Sequence, residues 1–225
     1  MDTTTTPTAL ITGGTAGLGL ALTTALAADG WMVVTDGRRA DRAEALPDGV
    51  RFVPGDITDP DHRAALVAAA DDLGRLDLLV HNASTLGAVP MRPLAEASTA
   101  GLEEVWRTNV EAPILLTGQL LPLLRVADGA ILSISSDAAI QHYETWGPYG
   151  ASKAALDHAT LTLAAETGLT AWAVDPGDMR TAMHQDAFLG EDISDRPLPE
   201  TVAPHLLRII RARPPSGRHT AKDFS

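Results

Sequence analysis

The chain has no cysteine, which excludes disulfides, thiolate metal sites and cysteine nucleophiles. Lysine is almost absent too: Lys153 and Lys222 stand against fifteen arginines, so a lysine inside a motif stands out. Positive charge falls short of negative, with 17 Lys and Arg against 29 Asp and Glu. The formal charge of −12 argues against a nucleic-acid partner and against anionic membrane surfaces, both of which would repel it. No apolar run approaches the ~20 residues of a membrane helix, so no membrane association is expected. The opening MDTTTTPTAL carries neither a basic region nor an apolar signal core, so export is not expected and a cytoplasmic location is. No metal is expected.

What remains is an ordinary globular composition, 45% hydrophobic and 20% charged, in 225 residues. Short apolar runs alternate with helical segments. The runs are Ala9–Thr12, Met32–Thr35, Val50–Val53, Leu76–His81, Ala130–Ser135 and Leu169–Val174. Between them lie amphipathic stretches at Leu18–Ala28, Asp61–Leu73, Thr99–Val126 and Pro148–Glu166. This alternation predicts βαβ units, hence an α/β doubly wound parallel sheet with helices on both faces, in one domain spanning 1–225. Ligands then bind at the carboxyl ends of the strands. The pattern dissolves after Pro176. Residues 180–198 read as a substrate loop or lid, Pro199–Arg211 as a last helix, and 214–225 as a polar C-terminal tail.

A glycine-rich turn, Thr12-Gly13-Gly14-Thr15-Ala16-Gly17-Leu18-Gly19, joins the first strand to the first helix. Glycines there permit a tight turn and close backbone approach to a pyrophosphate, and the helix start offers free N–H groups. The end of the second strand, Thr35-Asp36-Gly37-Arg38-Arg39, would meet the adenosine ribose. An acid could accept the 2′-hydroxyl of NAD, whereas arginines could pair with the 2′-phosphate of NADP. Counted from Gly19, Gly37 falls where an NAD enzyme would carry its acid, and Asp36 falls one short, facing the other way. NADP(H) is therefore preferred and NAD(H) remains possible. Asp56 could accept from the adenine amino group or serve as a turn acid, and His81-Asn82-Ala83-Ser84 should line the cofactor floor.

Tyr149 and Lys153 lie four apart in a helical segment and share a face. A phenol titrates near ~10, and a neighbouring ammonium is expected to lower that value, giving a general acid or base. Ser136 ends the preceding strand, where its hydroxyl could polarise a carbonyl oxygen. Pro113 lies four residues after Asn109 and has no N–H, which frees the Asn109 carbonyl to bind a water that could hold Lys153. Apolar candidates for a substrate pocket are Ala138, Tyr143, Trp146, Met179, Met183 and Phe188.

In their order and spacing these residues resemble the short-chain dehydrogenase/reductase family: TGGTAGLG at 12–19, Asp56, NA at 82–83, Asn109, Ser136, YGASK at 149–153 and PG at 176–177. The resemblance covers about residues 8–181. It implies a Rossmann-like sheet, hydride exchange between a nicotinamide and a small carbonyl or alcohol, and a catalytic tetrad of Asn109, Ser136, Tyr149 and Lys153. It also implies that Gly13, Thr15, Gly17, Leu18, Gly19, Arg38, Arg39, Asp56, Ile57, Asn82, Ala83, Tyr149, Lys153, Pro176, Gly177 and Thr181 contact the cofactor. Assembly as a homodimer or homotetramer through the helices at about 99–126 and 148–166 is implied as well. Ser84 departs from the family pattern, replacing a glycine, and the substrate region is short. A non-redox relative doing dehydration, isomerisation or epimerisation, and a cofactor-binding regulator, are the alternatives in other functional classes.

Overall fold

The computed structural model describes residues 5–225. Seven parallel strands form one sheet in the order β3-β2-β1-β4-β5-β6-β7. They are β1 (Thr8–Ile11), β2 (Met32–Gly37), β3 (Arg51–Pro54), β4 (Leu78–His81), β5 (Ala130–Ile134), β6 (Thr170–Asp175) and β7 (Gly217–Thr220). The order reverses between β1 and β4, which makes their carboxyl ends the crevice where a doubly wound sheet binds ligands.

Side chains alternate along each strand and so feed two cores. On one face Ile11, Val33, Val80 and Trp172 pack under α1 (Gly17–Ala28) and α7 (Pro199–Ala212). On the other, Leu10, Val34, Leu79 and Ile131 pack under α2 (Pro60–Asp71) and α4 (Ala112–Ala127). Two further helices, α3 (Thr99–Trp106) and α5 (Gly147–Thr167), complete that side. Local chemistry sets the helix starts. The Asp59 carboxylate accepts from Asp61 N–H at 2.9 Å ahead of Pro60, and the Ser98 hydroxyl accepts from Gly101 N–H at 3.1 Å.

Two expectations are corrected here. The stretch 99–126, read as one helix, is three pieces: α3, a π turn at Arg107–Glu111, and α4. Pro113 cannot donate to the carbonyl four residues back, so the ladder widens, and Ala112 N–H reaches Arg107 instead. The polar tail 214–225 contains β7, which pairs with β6 in register Trp172↔Gly217 to Asp175↔Thr220. Its period-2 signal is missing because all four residues of β7 are only partly buried at a sheet edge. The 180–198 segment holds a short helix, α6 (Ala182–Ala187), capped by Thr181.

Residues 99–127 also reach a mean hydropathy of 1.3 over an 18-residue window, so on length and composition they pass for a membrane span. In the fold their apolar face belongs to the core, where Leu116, Leu120 and Leu124 are fully buried.

Candidate active site

One cavity of about 800 Å³ runs along the carboxyl edge of the sheet, from the second strand to the segment after β6. That is within the usual size of a small-molecule site. Gly13, Thr15, Gly17, Leu18, Arg38, Arg39, Asp56, Ile57, Asn82 and Ala83 line one part. Ser136, Trp146, Tyr149, Lys153, Pro176, Gly177, Met179, Thr181 and Met183 line another. Gly19 sits behind the loop, buried in α1.

The loop after β1 is held by its neighbours. Gly13 has φ +68°, a conformation that favours glycine. Its N–H donates to Asp36 Oδ1 at 2.6 Å, and its carbonyl accepts from the Asn82 amide at 3.0 Å. The other Asp36 oxygen meets His62 Nε2 at 2.9 Å, with both side chains almost fully buried. Asp36 stands at the cavity wall with one oxygen committed to the loop and the other to His62. Nor can the next position supply an acid: a Cβ on Gly37 would fall 2.4 Å from the Thr15 hydroxyl.

These residues fit a dinucleotide phosphate. The first residue before α1, Ala16, has no side chain to cap the helix, so the N–H groups of the first turn are left for a ligand facing them. Arg38 and Arg42 line the same end and have no carboxylate partner among the described residues, whereas Arg39 pairs with Asp41 at 2.6 Å. Asp56 makes a turn rather than a free acceptor of two oxygens: its Oδ1 accepts from Thr58 N–H and Oγ at 2.9 and 2.8 Å. Burial raises its pKa, but the Thr58 donors and the Arg38 charge outweigh that and leave it below the ordinary carboxylate value.

At the other end, Lys153 is 2% exposed and donates to the Ile134 carbonyl at 2.8 Å, with its ammonium 5.5 Å from the Tyr149 ring centroid. Burial pulls the ammonium down to about 8, partly opposed by the Asp157 charge. Burial also pushes the Tyr149 phenol well above its ordinary value, with Asp137 and Asp175 adding to the rise. The Ser136 and Ser84 hydroxyls oppose it. The sequence-based expectation is a phenol lowered by Lys153; in this cavity desolvation of the phenolate, with the Asp137 and Asp175 charges, holds it above its ordinary value instead.

Asn109 contributes through its side chain. The amide donates to the Thr85 carbonyl (2.9 Å) and Ser152 Oγ (3.0 Å), and accepts from Thr85 N–H (2.9 Å) and Ser84 Oγ (3.1 Å). Ser84, the departure from the family pattern, thereby joins Asn109 to the phenol's surroundings. Ser136 caps the single turn after β5, accepting from Ala138 N–H at 3.1 Å and donating to Asp137 Oδ1 at 3.1 Å. Neighbouring Ser135 is turned inward to Asp157 at 2.8 Å.

Three of the proposed substrate contacts fall outside the lining. Ala138 is packed beneath Gly150, Tyr143 lies on the surface with its hydroxyl on Asp137, and Phe188 stacks behind on His184 and Trp146. Lining residues that the sequence did not single out include Leu86, Glu103, Glu104 and Arg107. The glutamates and Arg107 sit on α3 and the π turn, on what reads in sequence as an ordinary solvated helix face.

A family model described as short chain dehydrogenase matches residues 7–192. Serine 3-dehydrogenase of Agrobacterium fabrum is 34% identical over 185 residues, 77% of this chain and 72% of that one. An oxidoreductase of Saccharomyces cerevisiae is 37% identical over 142 residues, 62% of this chain and 55% of that one, so the match spans about half of that relative's length. Among solved structures, a short chain dehydrogenase of Shigella flexneri in complex with NADP has a TM-score of 0.88 at 28% identity, covering 96% of this chain and 97% of that one.

Proposed function

The chain belongs to the short-chain dehydrogenase/reductase family of oxidoreductases, and from that membership we propose that it interconverts a carbonyl and an alcohol with NADP(H). The observation that carries the reading is the shared cavity: Ser136, Tyr149 and Lys153 line it together with the glycine loop and Arg38. The nicotinamide, when bound, supplies or takes up the hydride.

The remaining work belongs to the chain. In reduction, the Tyr149 phenol gives its proton to the carbonyl oxygen as the carbonyl carbon gains the hydride, and the product is the alcohol. A neutral phenol is the form this step requires; an ordinary phenol is already neutral near pH ~7, and burial disfavours the phenolate further. In oxidation the same oxygen must take the alcohol's proton, so the ammonium of Lys153 is needed beside it to stabilise phenolate. Ser136 turns its hydroxyl from Asp137 to the substrate oxygen and positions it. Asn109 braces the Ser84–Thr85 segment that forms the wall opposite.

NADP(H) is preferred because Arg38 and Arg42 are available to a 2′-phosphate, while Asp36 is committed and Gly37 admits no acid. The NADP held by the Shigella flexneri relative agrees with this preference. Trp146, Met179 and Met183 suit an apolar group beside the reacting carbon. A homodimer or homotetramer is part of the same reading.

The test is absorbance of NADPH during incubation with aliphatic and aromatic ketones and aldehydes. Tyr149→Phe is expected to lose turnover by about 10³-fold or more while binding NADPH as before. Retained turnover in that variant, or product formed with no net change in NADPH, overturns the reading.

A further inference from the structure

Arg218 lies on β7, at the edge of the sheet and in a segment without any sequence motif. Its guanidinium nonetheless reaches three parts of the candidate site. Nη2 donates to the Ser136 carbonyl at 2.8 Å and lies 3.5 Å from Asp175 Oδ2, while Nε donates to Asp157 Oδ2 at 3.1 Å. Asp157 stands one helical turn beyond Lys153 on α5 and also holds the Ser135 hydroxyl. Asp175 ends β6 immediately before Pro176 and Gly177. The pair is secluded, with the Arg218 and Asp157 side chains 22% and 11% exposed. Asp157 Oδ1 is buried with no hydrogen-bond partner among the described residues, so Arg218 and Ser135 hold that carboxylate through Oδ2.

Resting on the hydride-transfer reading above, we propose that Arg218 is a positioning residue of the reaction: it ties Ser136, the Lys153 turn of α5 and the Pro176–Gly177 turn into one geometry. A planar guanidinium with donors in a fixed fork can satisfy three acceptors at set angles, which a lysine cannot. Strand pairing does not depend on the side chain, because β7 joins β6 through the backbone. The position is therefore open to substitution without removing the strand.

The arrangement also sets charge. Two carboxylates, Asp157 and Asp175, share one guanidinium. The groups facing Tyr149 are Asp137 from the turn after β5, Asp175 from β6, the hydroxyls of Ser136 and Ser84, and the Lys153 ammonium on its own helix. Lys153 faces Asp157 on its own helix and the Ile134 carbonyl of β5. Without Arg218, Asp175 acts on Tyr149 and Asp157 on Lys153 uncompensated, and each of the two groups holds its proton to higher pH.

Arg218→Met and Arg218→Lys test this, with NADPH binding followed by fluorescence, folding by circular dichroism, and kcat and KM measured across pH. Arg218→Met is expected to fold and to bind NADPH within about threefold of the parent. Its kcat should fall about 10- to 100-fold, and its pH profile should move up by about one unit. Arg218→Lys should return the profile but only part of kcat. In Arg218→Met with Asp175→Asn, the profile should move back down, because one of the uncompensated charges is gone. A variant that loses only melting temperature, with kcat and profile unchanged, overturns the proposal and leaves Arg218 a structural ion pair. Should Arg218→Met not fold, an unmoved profile together with full kcat in Arg218→Lys overturns it equally. Failure of the hydride-transfer reading shows separately, as turnover that survives Tyr149→Phe.

Discussion

Asp36 sits in a nearly closed space, and its surroundings explain why a carboxyl group is tolerated there. One oxygen takes the Gly13 N–H at 2.6 Å, the other takes His62, and its own carbonyl takes the Gly14 N–H at 3.1 Å. A buried carboxylate with such donors holds the loop more firmly than a neutral group could, since charge-assisted hydrogen bonds are roughly twice as strong. Asp36→Asn should therefore weaken NADPH binding by about tenfold, the equivalent of ~1.4 kcal/mol, with NADH weakened to the same degree. Fluorescence titration with both nucleotides reads this out. If NADPH alone weakens, or NADH binding improves, Asp36 faces the ribose after all. In the sequence, the conflict between Asp36 and Arg38–Arg39 was visible and so was the one-residue offset. The His62 partner was not, because a contact across 26 residues leaves no periodic trace. Tyr149 and Lys153 were equally legible as a pair, but their protonation was not, since burial is a property of the whole cavity.

Between elements, the same limit applies. The βαβ alternation is a local pattern, and six strands and the main helices follow from it within a residue or two. Pro113 announces a disturbed ladder, yet whether the chain kinks or widens into a π turn depends on what packs around Asn109. β7 escaped notice because its four residues are neither alternating nor apolar. A contact between β4 and α4 gives a further consequence. His81, at the end of β4, is enclosed with Nε2 on Thr117 Oγ1 at 2.7 Å and no partner for Nδ1 among the described residues. Burial lowers its pKa to about 3, so the folded chain keeps it neutral where the unfolded chain protonates it near ~6.5. The unfolded state thus binds the extra proton between those values, and stability is lost as pH falls from about 6.5 towards 3. The slope from this one group approaches ~1.4 kcal/mol per pH unit in that window. Denaturant unfolding of the parent and of His81→Gln should show the acid-side loss reduced in the variant. Parallel pH curves for the two would place the acid sensitivity elsewhere.

For the whole molecule, charge and apolar surface pull in opposite directions. The formal charge of −12 keeps copies apart at low ionic strength. Yet Leu102 and Trp106 on α3, and Ile114 and Leu115 on α4, are exposed large hydrophobics on one continuous helical stretch. Their neighbours Leu116 and Leu120 are buried, so the stretch presents apolar residues outward as well as into the core. A soluble monomer has little reason to keep such a surface, and a second copy would remove it from water. The expected solution mass is then two or four times the 23.6 kDa of the chain. Association should strengthen with added salt, because screening weakens the repulsion while apolar contact is unaffected. Light scattering at low and moderate ionic strength measures both effects. Ile114→Glu with Leu115→Glu should give a monomer that still binds NADPH, because neither residue lines the cavity. A monomeric parent at every salt concentration would instead assign these side chains to no partner copy. The helices that would meet flank the π turn that holds Asn109, so a dimer would brace the segment that supports Ser84 and Thr85. A monomerised variant should accordingly keep its affinity for NADPH and lose part of its kcat.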